Sequence, residues 1–372
     1  MRGRPRVAIL LPDLRPGGAE RLHATLARRW VQDGIDIDFV LRQGIGQLIE
    51  EIPPEAKVFD MRTARVRRVL WPLMNYLRDR SPTAILAAMW PLTVICPLAA
   101  RLVGYTGRVV ISEHAPQSLA YAKRGRLHGF LMRASMRLCY PLADQRVAVS
   151  RGVAEDMSRL SGLAIDRFHV IHNPAATGRV IARSGGELPI TGNGPLILTV
   201  GNLKQVKRHD LLIRSFARLP APTAQLVILG EGTERSRLEC LARELGVGDR
   251  IHMPGFQADP GPWYAAADLF VLSSDHEGFG NVIVEALEQG TPVVSTDCPS
   301  GPREILGDGT FGTLVRPGDV DALALAMEEA LAKPCDRDAL RQHAKKFSVD
   351  AASSAYLPLL LGAPPQMEAE VP

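Results

Sequence analysis

The sequence predicts two doubly wound α/β domains in tandem, each a parallel sheet covered by helices on both faces. Three observations carry this. A chain of 372 residues is long for one hydrophobic core and suits two. Short, nearly continuous apolar runs alternate with amphipathic stretches, the pattern of β–α units with buried strands. Residues 175–194, AATGRVIARSGGELPITGNG, then break the alternation with Gly, Thr and Ser and no apolar period, which reads as an interdomain linker.

In the first domain, residues 1–175, strands are expected at 6–12 (RVAILLP), 35–41 (IDIDFVL), 57–61 (KVFDM), 84–89 (AILAAM), 108–112 (RVVIS) and 144–150 (DQRVAVS). Helical patterns lie between them, for example at 19–32 and 127–140. The second domain, residues 195–345, repeats the scheme with strands at 195–201 (PLILTVG), 224–230 (AQLVILG), 250–255 (RIHMPG), 268–274 (DLFVLSS) and 292–296 (PVVST). Residues 346–361 form a C-terminal helix that can cross back to the first domain. Residues 362–372 read as a flexible tail. Sheets of this kind bind ligands at the carboxyl ends of their strands.

Composition excludes several classes. With 46% hydrophobic and 23% charged residues the chain is not disordered. Its five cysteines, Cys96, Cys139, Cys240, Cys298 and Cys335, are odd in number and contain no CxxC pair. That argues against a disulfide framework or a structural zinc and for a reducing compartment. The N-terminal MRGRPRVAILLP has its apolar run cut short by Pro12 and Asp13, too early for a signal peptide. A cytoplasmic location, peripheral to the inner face of a membrane, is the expectation. Residues 81–100 carry no charge and approach the length of a membrane span. Pro91 and Pro97 interrupt them, so a buried strand, a Trp90–Pro91 turn and a helix running into Arg101 explain the segment better.

The net charge of +4 hides an asymmetry. Residues 1–175 hold 26 basic against 15 acidic residues, a net of +11; the remainder holds 18 against 25, a net of −7. A basic first half suggests an anionic partner. The excess concentrates in 61–80 (MRTARVRRVLWPLMNYLRDR) and 123–140 (KRGRLHGFLMRASMRLCY). Two readings stand for these segments: a contact with an anionic membrane surface or a pyrophosphate-linked lipid, or core helices whose arginines solubilise. No nucleic-acid signature accompanies the charge, so no nucleic acid is expected.

The most informative stretch is DHEGFGNVIVEALEQGTPVV, residues 275–294. A strand ends and a glycine-bearing loop follows. A helix then starts near Val282, with Asn281 as its expected N-cap. Gly278 and Gly280 let backbone approach a ligand, and the helix N-terminus offers N–H groups to phosphate. Glu277 and Glu285 can point into one cleft, where ionised carboxylates act as acceptors for vicinal hydroxyls. In VGNLKQVKRHDLLIRSF (200–216) a basic loop follows the first strand of the second domain, and Lys207 suits a phosphate. LPDLRPGGAERL (11–22) repeats a strand, a Gly17–Gly18 turn and a helix. ISEHAP (111–116) puts Glu113 and His114 at a cleft rim. Ser150 and Asn173 read as a helix cap and a turn residue.

Together these stretches resemble glycosyltransferase family 4, with retaining chemistry and the GT-B fold, two Rossmann-like domains facing an interdomain cleft. The resemblance rests on Glu277, Gly278, Phe279, Gly280, Glu285, Gly290, Pro292, Val293 and Val294. Further matches are LGEGTERSRLE (229–239), MPGF (253–256) and STDCPSGPREIL (295–306). It implies that Glu277 and His114 meet the donor sugar and that Glu285 holds the ribose. Asn202, Lys207, Gly278, Phe279, Gly280, Asn281 and Val282 would then surround the nucleotide diphosphate. The Gly17–Gly18 loop would contact phosphate or acceptor, and the segment near MPGF the base. Asn202 stands where the family usually has arginine, so Lys204 or Arg208 would have to compensate or donor binding would weaken. The implied activity is hexosyl transfer from a nucleotide-sugar, UDP before GDP, to a glycan or polyprenyl-pyrophosphate-linked acceptor in bacterial surface polysaccharide assembly.

No cofactor or metal is expected. Asp36-Ile-Asp38, a D-x-D, lies in an alternating strand and reads as a solvated face; Asp336 and Asp338 read as helix-start residues. Two rivals keep part of the pattern. A GT-B epimerase would need acid/base groups at the sugar, and no convincing set is visible. A non-enzymatic membrane- or nucleic-acid-binding protein would leave Glu277, Glu285 and Lys207 without a role.

Overall fold

The computed structural model describes residues 4–15, 17–183 and 194–362. They divide into two compact units: the first runs to Pro174 and resumes at Val349, and the second spans Ala175 to Ser348.

The first unit is built on β1 (Arg6–Leu11), β2 (Asp36–Leu41), β3 (Lys57–Asp60), β4 (Ala84–Ala88), β5 (Arg108–Glu113), β6 (Gln145–Ala148) and β7 (His169–Val170). Their spatial order is β3-β2-β1-β4-β5-β6-β7, with every pairing parallel. β1 is buried from Val7 onward and β4 throughout, as expected where helices cover both faces. The second unit holds β8 (Leu196–Val200), β9 (Gln225–Leu229), β10 (Ile251–Gly255), β11 (Leu269–Leu272), β12 (Val293–Thr296) and β13 (Thr313–Val315). Their order is β10-β9-β8-β11-β12-β13. In both sheets the winding reverses once, between β1 and β4 and between β8 and β11. Ligand crevices of open α/β sheets form at that reversal, outside the strands' carboxyl ends.

Residues 81–100 fold as β4, a turn at Trp90–Pro91 and a helix Leu92–Val103. No helix among the described residues is long and apolar enough to cross a membrane. β7 and β13 went unpredicted because they span only two and three residues. Such short runs carry no period and exist because a neighbouring strand edge offers partners.

The helix Val349–Leu361 belongs to the first unit. Trp30 Nε1 donates to Ser353 Oγ at 3.0 Å, the Trp30 and Tyr356 rings meet edge to face at 6.1 Å, and both residues are fully buried. The Tyr356 hydroxyl lies 3.1 Å from Ser112 Oγ at the end of β5. The C-terminal helix therefore reaches the carboxyl ends of the first sheet.

One expectation is corrected below. The first part of the expected interdomain linker, 175–194, is hydrogen-bonded to the second unit. Gly178 N–H donates to Glu288 at 2.5 Å, Thr177 to the same carboxylate at 3.0 Å, and Ile181 N–H to Gln289 at 2.8 Å. Two buried polar side chains thus accept the backbone N–H groups of Gly178 and Ile181 and the Thr177 hydroxyl. The rest of that stretch, 184–193, and nearly all of the expected tail, 363–372, lie outside the described residues. Asp38 is not on a solvated face. It is 1% exposed, accepts the Tyr76 hydroxyl at 2.8 Å and has the guanidinium groups of Arg80 and Arg6 at 3.6 and 3.8 Å. β2 runs between β1 and β3 and carries a helix, so its polar side has no water and the carboxylate is held by partners instead. Asp36 stays half-exposed and pairs with Arg6 at 3.3 Å.

Candidate functional site

At the winding reversal of the second sheet, the loops after β8 and β11 are stitched together. Asp275 N–H donates to Val206 O at 2.9 Å, and Ser273 Oγ to Lys207 O at 2.8 Å. Arg208, in the left-handed region at φ 51°, bridges Asp210 at 3.1 Å and Asp275 at 3.0 Å. The consequence is a charged constellation. Lys207 Nζ lies 2.6 Å from Glu277 Oε1, which also accepts Ser274 Oγ at 2.6 Å. The side chains of Lys207 and Glu277 are 22% and 11% exposed, screened enough for their charges to act strongly and open enough to meet a ligand.

The 278–282 segment sits beside this pair. Gly280, at φ 103°, is the N-cap of the helix Asn281–Glu288. Asn281 is therefore the first helical residue and not the expected cap, because only glycine adopts that backbone conformation without strain. No side chain caps the helix, and the first turn of a helix has N–H groups without intrahelical partners. Val282 is half-buried. Phe279 is 2% exposed and packs on Phe347 at 5.6 Å, so its side chain anchors the loop. Gly278 is half-buried.

Glu285 is held separately, accepting the hydroxyl of buried Tyr264 at 2.8 Å. Burial first and the Glu285 charge second push that phenol well above its usual range, so it remains a donor. Asn202 stands exposed just after β8, as does Lys204. Arg208 is committed to its two aspartates, which leaves Lys204 as the available cation of the two proposed substitutes. Sequence reasoning missed Ser274 and Tyr264. Ser274 sits at the end of a predicted strand and could have been noticed. Tyr264 lies in a short helix before β11 and gave no signal.

The first unit brings its predicted residues to the carboxyl ends of β1 and β5. Gly17 is the N-cap of the helix Gly18–Gln32 and no side chain caps that helix across the turn. Glu20 bonds its own backbone N–H, and burial raises its pKa. A carboxylate thus already occupies this helix start, and a phosphate would have to displace it. His114 Nε2 lies 3.0 Å from Ser112 Oγ, the hydroxyl that also meets Tyr356. The His114 ring packs edge to face on His23 at 5.2 Å. Burial, and secondarily His23, holds His114 well below the usual imidazole range. Burial takes His23 down to about 4, so both rings are neutral at neutral pH. His114 Nδ1 and His23 Nε2 are buried with no hydrogen-bond partner among the described residues.

Glu113 does not stand at a rim. It is fully buried and accepts Thr93 at 2.6 Å, Tyr140 at 2.7 Å, Gln117 at 2.6 Å and Trp90 N–H at 3.3 Å. Burial raises its pKa and these donors oppose the rise. It is a structural hub that fixes the end of β5, the strand carrying His114. Ser150 caps its helix by accepting Val153 N–H, and Asp336 does the same for Ala339. No cluster of His, Cys, Asp or Glu that could hold a metal is present among the described residues.

Comparison with known proteins reads the same two halves. Residues 16–179 match the model of Glycosyltransferase Family 4, and residues 183–347 that of Glycosyl transferases group 1. The chain is 33% identical over 357 residues to the lipopolysaccharide core biosynthesis glycosyltransferase LpsE of Rhizobium meliloti, covering 94% of this chain and 97% of that one. It is 32% identical over 248 residues, 67% of each chain, to the N-acetylgalactosamine-N,N'-diacetylbacillosaminyl-diphospho-undecaprenol 4-alpha-N-acetylgalactosaminyltransferase of Campylobacter jejuni. Among solved structures, Anabaena HepE in complex with UDP and glucose superposes with a TM-score of 0.75 at 21% identity, over 97% of this chain and all of that one. With two parallel-sheet Rossmann-like units and relatives of this similarity, the chain belongs to the family 4 glycosyltransferases of the GT-B fold.

Proposed function

We propose that the chain is a retaining glycosyltransferase moving a hexosyl unit from a nucleotide-diphosphate sugar, UDP before GDP, to a glycan or lipid-linked acceptor in bacterial surface polysaccharide assembly. The observation that carries the reading is the Lys207–Glu277 pair at the winding reversal of the second sheet, beside an uncapped helix start. An ammonium and the positive end of a helix suit a diphosphate that gains charge as it leaves, and a carboxylate suits sugar hydroxyls. The UDP of HepE and the diphospho-undecaprenol acceptor of the Campylobacter relative support the choice of donor and acceptor.

In the proposed reaction the bond from the anomeric carbon to the diphosphate breaks, and the acceptor oxygen bonds to that carbon on the same face. The acceptor proton passes to the departing phosphate oxygen. No protein nucleophile is needed, and the chain contributes positioning and charge stabilisation. Lys207 meets the diphosphate, Glu277 the sugar and Glu285 the ribose, with Tyr264 fixing the Glu285 carboxylate. Neutral His114 offers Nδ1 to a sugar hydroxyl. An epimerase would need acid and base groups at the sugar; two neutral histidines and an ion-paired glutamate suit that poorly.

Thermal denaturation with UDP, GDP and ADP and their sugars tests the donor site. One nucleotide at a hundred times its Kd is expected to stabilise the wild type by about 2.7 kcal/mol, and Glu285→Ala to lose most of that shift. Indifference of the wild type to every nucleotide at millimolar concentration would remove the donor site. The anomeric configuration of the product, read by NMR, decides between retention and inversion.

A further inference from the structure

Ser112 and Tyr356 form a chain of hydroxyls behind His114 that the proposed reaction does not use. Ser112 and His114 are two positions apart, and so fall on one side of β5 and its extension. Ser112 Oγ lies 3.0 Å from His114 Nε2. The Tyr356 hydroxyl lies 3.1 Å from the same Ser112 oxygen. Ser112 is fully buried and Tyr356 is 1% exposed.

The C-terminal helix is tied down along its length, which fixes Tyr356 in this place. Ser353, Tyr356 and Leu360 share its buried face, as their spacing of three and four requires. Ser353 accepts Trp30 Nε1, and the Tyr356 ring packs on the same indole. Near the helix start Asp350 pairs with Arg29; near its end the Leu359 carbonyl accepts Arg108 Nη1 at 3.3 Å. Trp30 and His23, seven positions apart, are both buried on the helix Gly18–Gln32. One helix thus supports the Tyr356 ring with Trp30 and the His114 ring with His23.

Counting hydrogens gives the chain of hydroxyls a direction. Burial pushes the Tyr356 phenol up to about 12, so it carries its hydrogen at neutral pH. Ser112 Oγ is its one hydrogen-bond partner among the described residues. A buried O–H without an acceptor is costly, so Tyr356 donates and Ser112 accepts. The single Ser112 hydrogen then goes to His114 Nε2. A neutral imidazole has one bare nitrogen and one N–H, and with Nε2 accepting, the proton stands on Nδ1. The reverse direction, from Nε2–H through Ser112 to Tyr356, would strand the phenol hydrogen in the core.

We propose that Ser112 and Tyr356 are positioning residues that hold His114 in the Nδ1–H tautomer, so that its ring presents a hydrogen-bond donor to the sugar. The proposal rests on the assignment of His114 Nδ1 to a sugar hydroxyl and adds the sense of that bond: Nδ1 donates and the hydroxyl oxygen accepts. It also gives the last helix of the chain a part in the site, through a residue 244 positions from Ser112.

NMR of the full chain labelled with 15N-histidine reads the tautomer directly, with His114 assigned by the signals missing from His114→Ala. The wild type is expected to carry the His114 proton on Nδ1. Tyr356→Phe is expected to lose that preference and to lower kcat roughly tenfold, with the donor KM unchanged. The phenylalanine keeps the ring on Trp30, and a melting temperature near that of wild type verifies that the helix stays in place. In a His114→Ala background Tyr356→Phe should cost less than about twofold, because a residue acting only through His114 has nothing left to position. A wild-type proton on Nε2 overturns the proposal, as does a Tyr356→Phe penalty as large without His114 as with it. A wild type indifferent to every nucleotide would instead remove the donor assignment, and the tautomer signal would not register it.

Discussion

Glu277→Gln is expected to lower kcat by roughly 10²–10³-fold. The substitution keeps the shape and an acceptor for Ser274, and it removes the charge that lies 2.6 Å from Lys207. The pair is mostly enclosed, so the substitution also leaves the Lys207 charge without its partner and is expected to lower stability. What is lost, on the proposed reading, is an anion aimed at the reacting sugar. Lys207→Ala should behave differently, weakening UDP binding and raising the donor KM as well as lowering kcat, because in the proposed reaction the ammonium meets the diphosphate before and during departure. Steady-state nucleotide release across a donor series separates the two. A Glu277→Gln enzyme with kcat within threefold of wild type would take the carboxylate away from the chemistry.

Gly301→Ala is expected to cost about 1–3 kcal/mol in backbone strain, read as a fall of about 3–10 °C in the melting temperature, and to abolish nucleotide stabilisation. Gly301 holds φ 100° and ψ −60°, and a Cβ there would overlap the Phe279 carbonyl oxygen. The two segments are otherwise tied by Glu277 N–H to Pro299 O at 3.3 Å and by Thr296 Oγ1 to Ser274 O at 2.7 Å. The methyl group can fit only if the 278–281 backbone moves, and that backbone carries the helix start assigned to the diphosphate. Calorimetry with and without UDP reads both effects. A variant that melts like wild type and still responds to UDP would show that the loop is not fixed by this contact.

The sequence by itself determined the two β–α series, because a parallel strand buried on both faces leaves an apolar run that no surface element shares. β1, β4, β8 and β11 were legible for that reason to within a residue or two. It also pointed to Lys207, Glu277, Glu285 and His114, each at the end of such a strand or in the helix after it, where chain direction alone sends side chains toward the ligand end of a sheet. The family resemblance gave them roles that spacing could not.

Only the tertiary structure decided which of these groups meet. Lys207 and Glu277 are 70 positions apart and become an ion pair because β8 and β11 are neighbours at the winding reversal. Strand order is a long-range choice that no local pattern encodes. The same holds where the reading failed. Asp38 and Glu113 looked solvent-facing by alternation or position, and both are buried because Tyr76, Tyr140 and Thr93 arrive from distant segments to satisfy them. Alternation reports which side of a strand a residue takes. Whether water or another helix waits on that side depends on packing, and a buried carboxylate persists only where the rest of the chain has brought its donors.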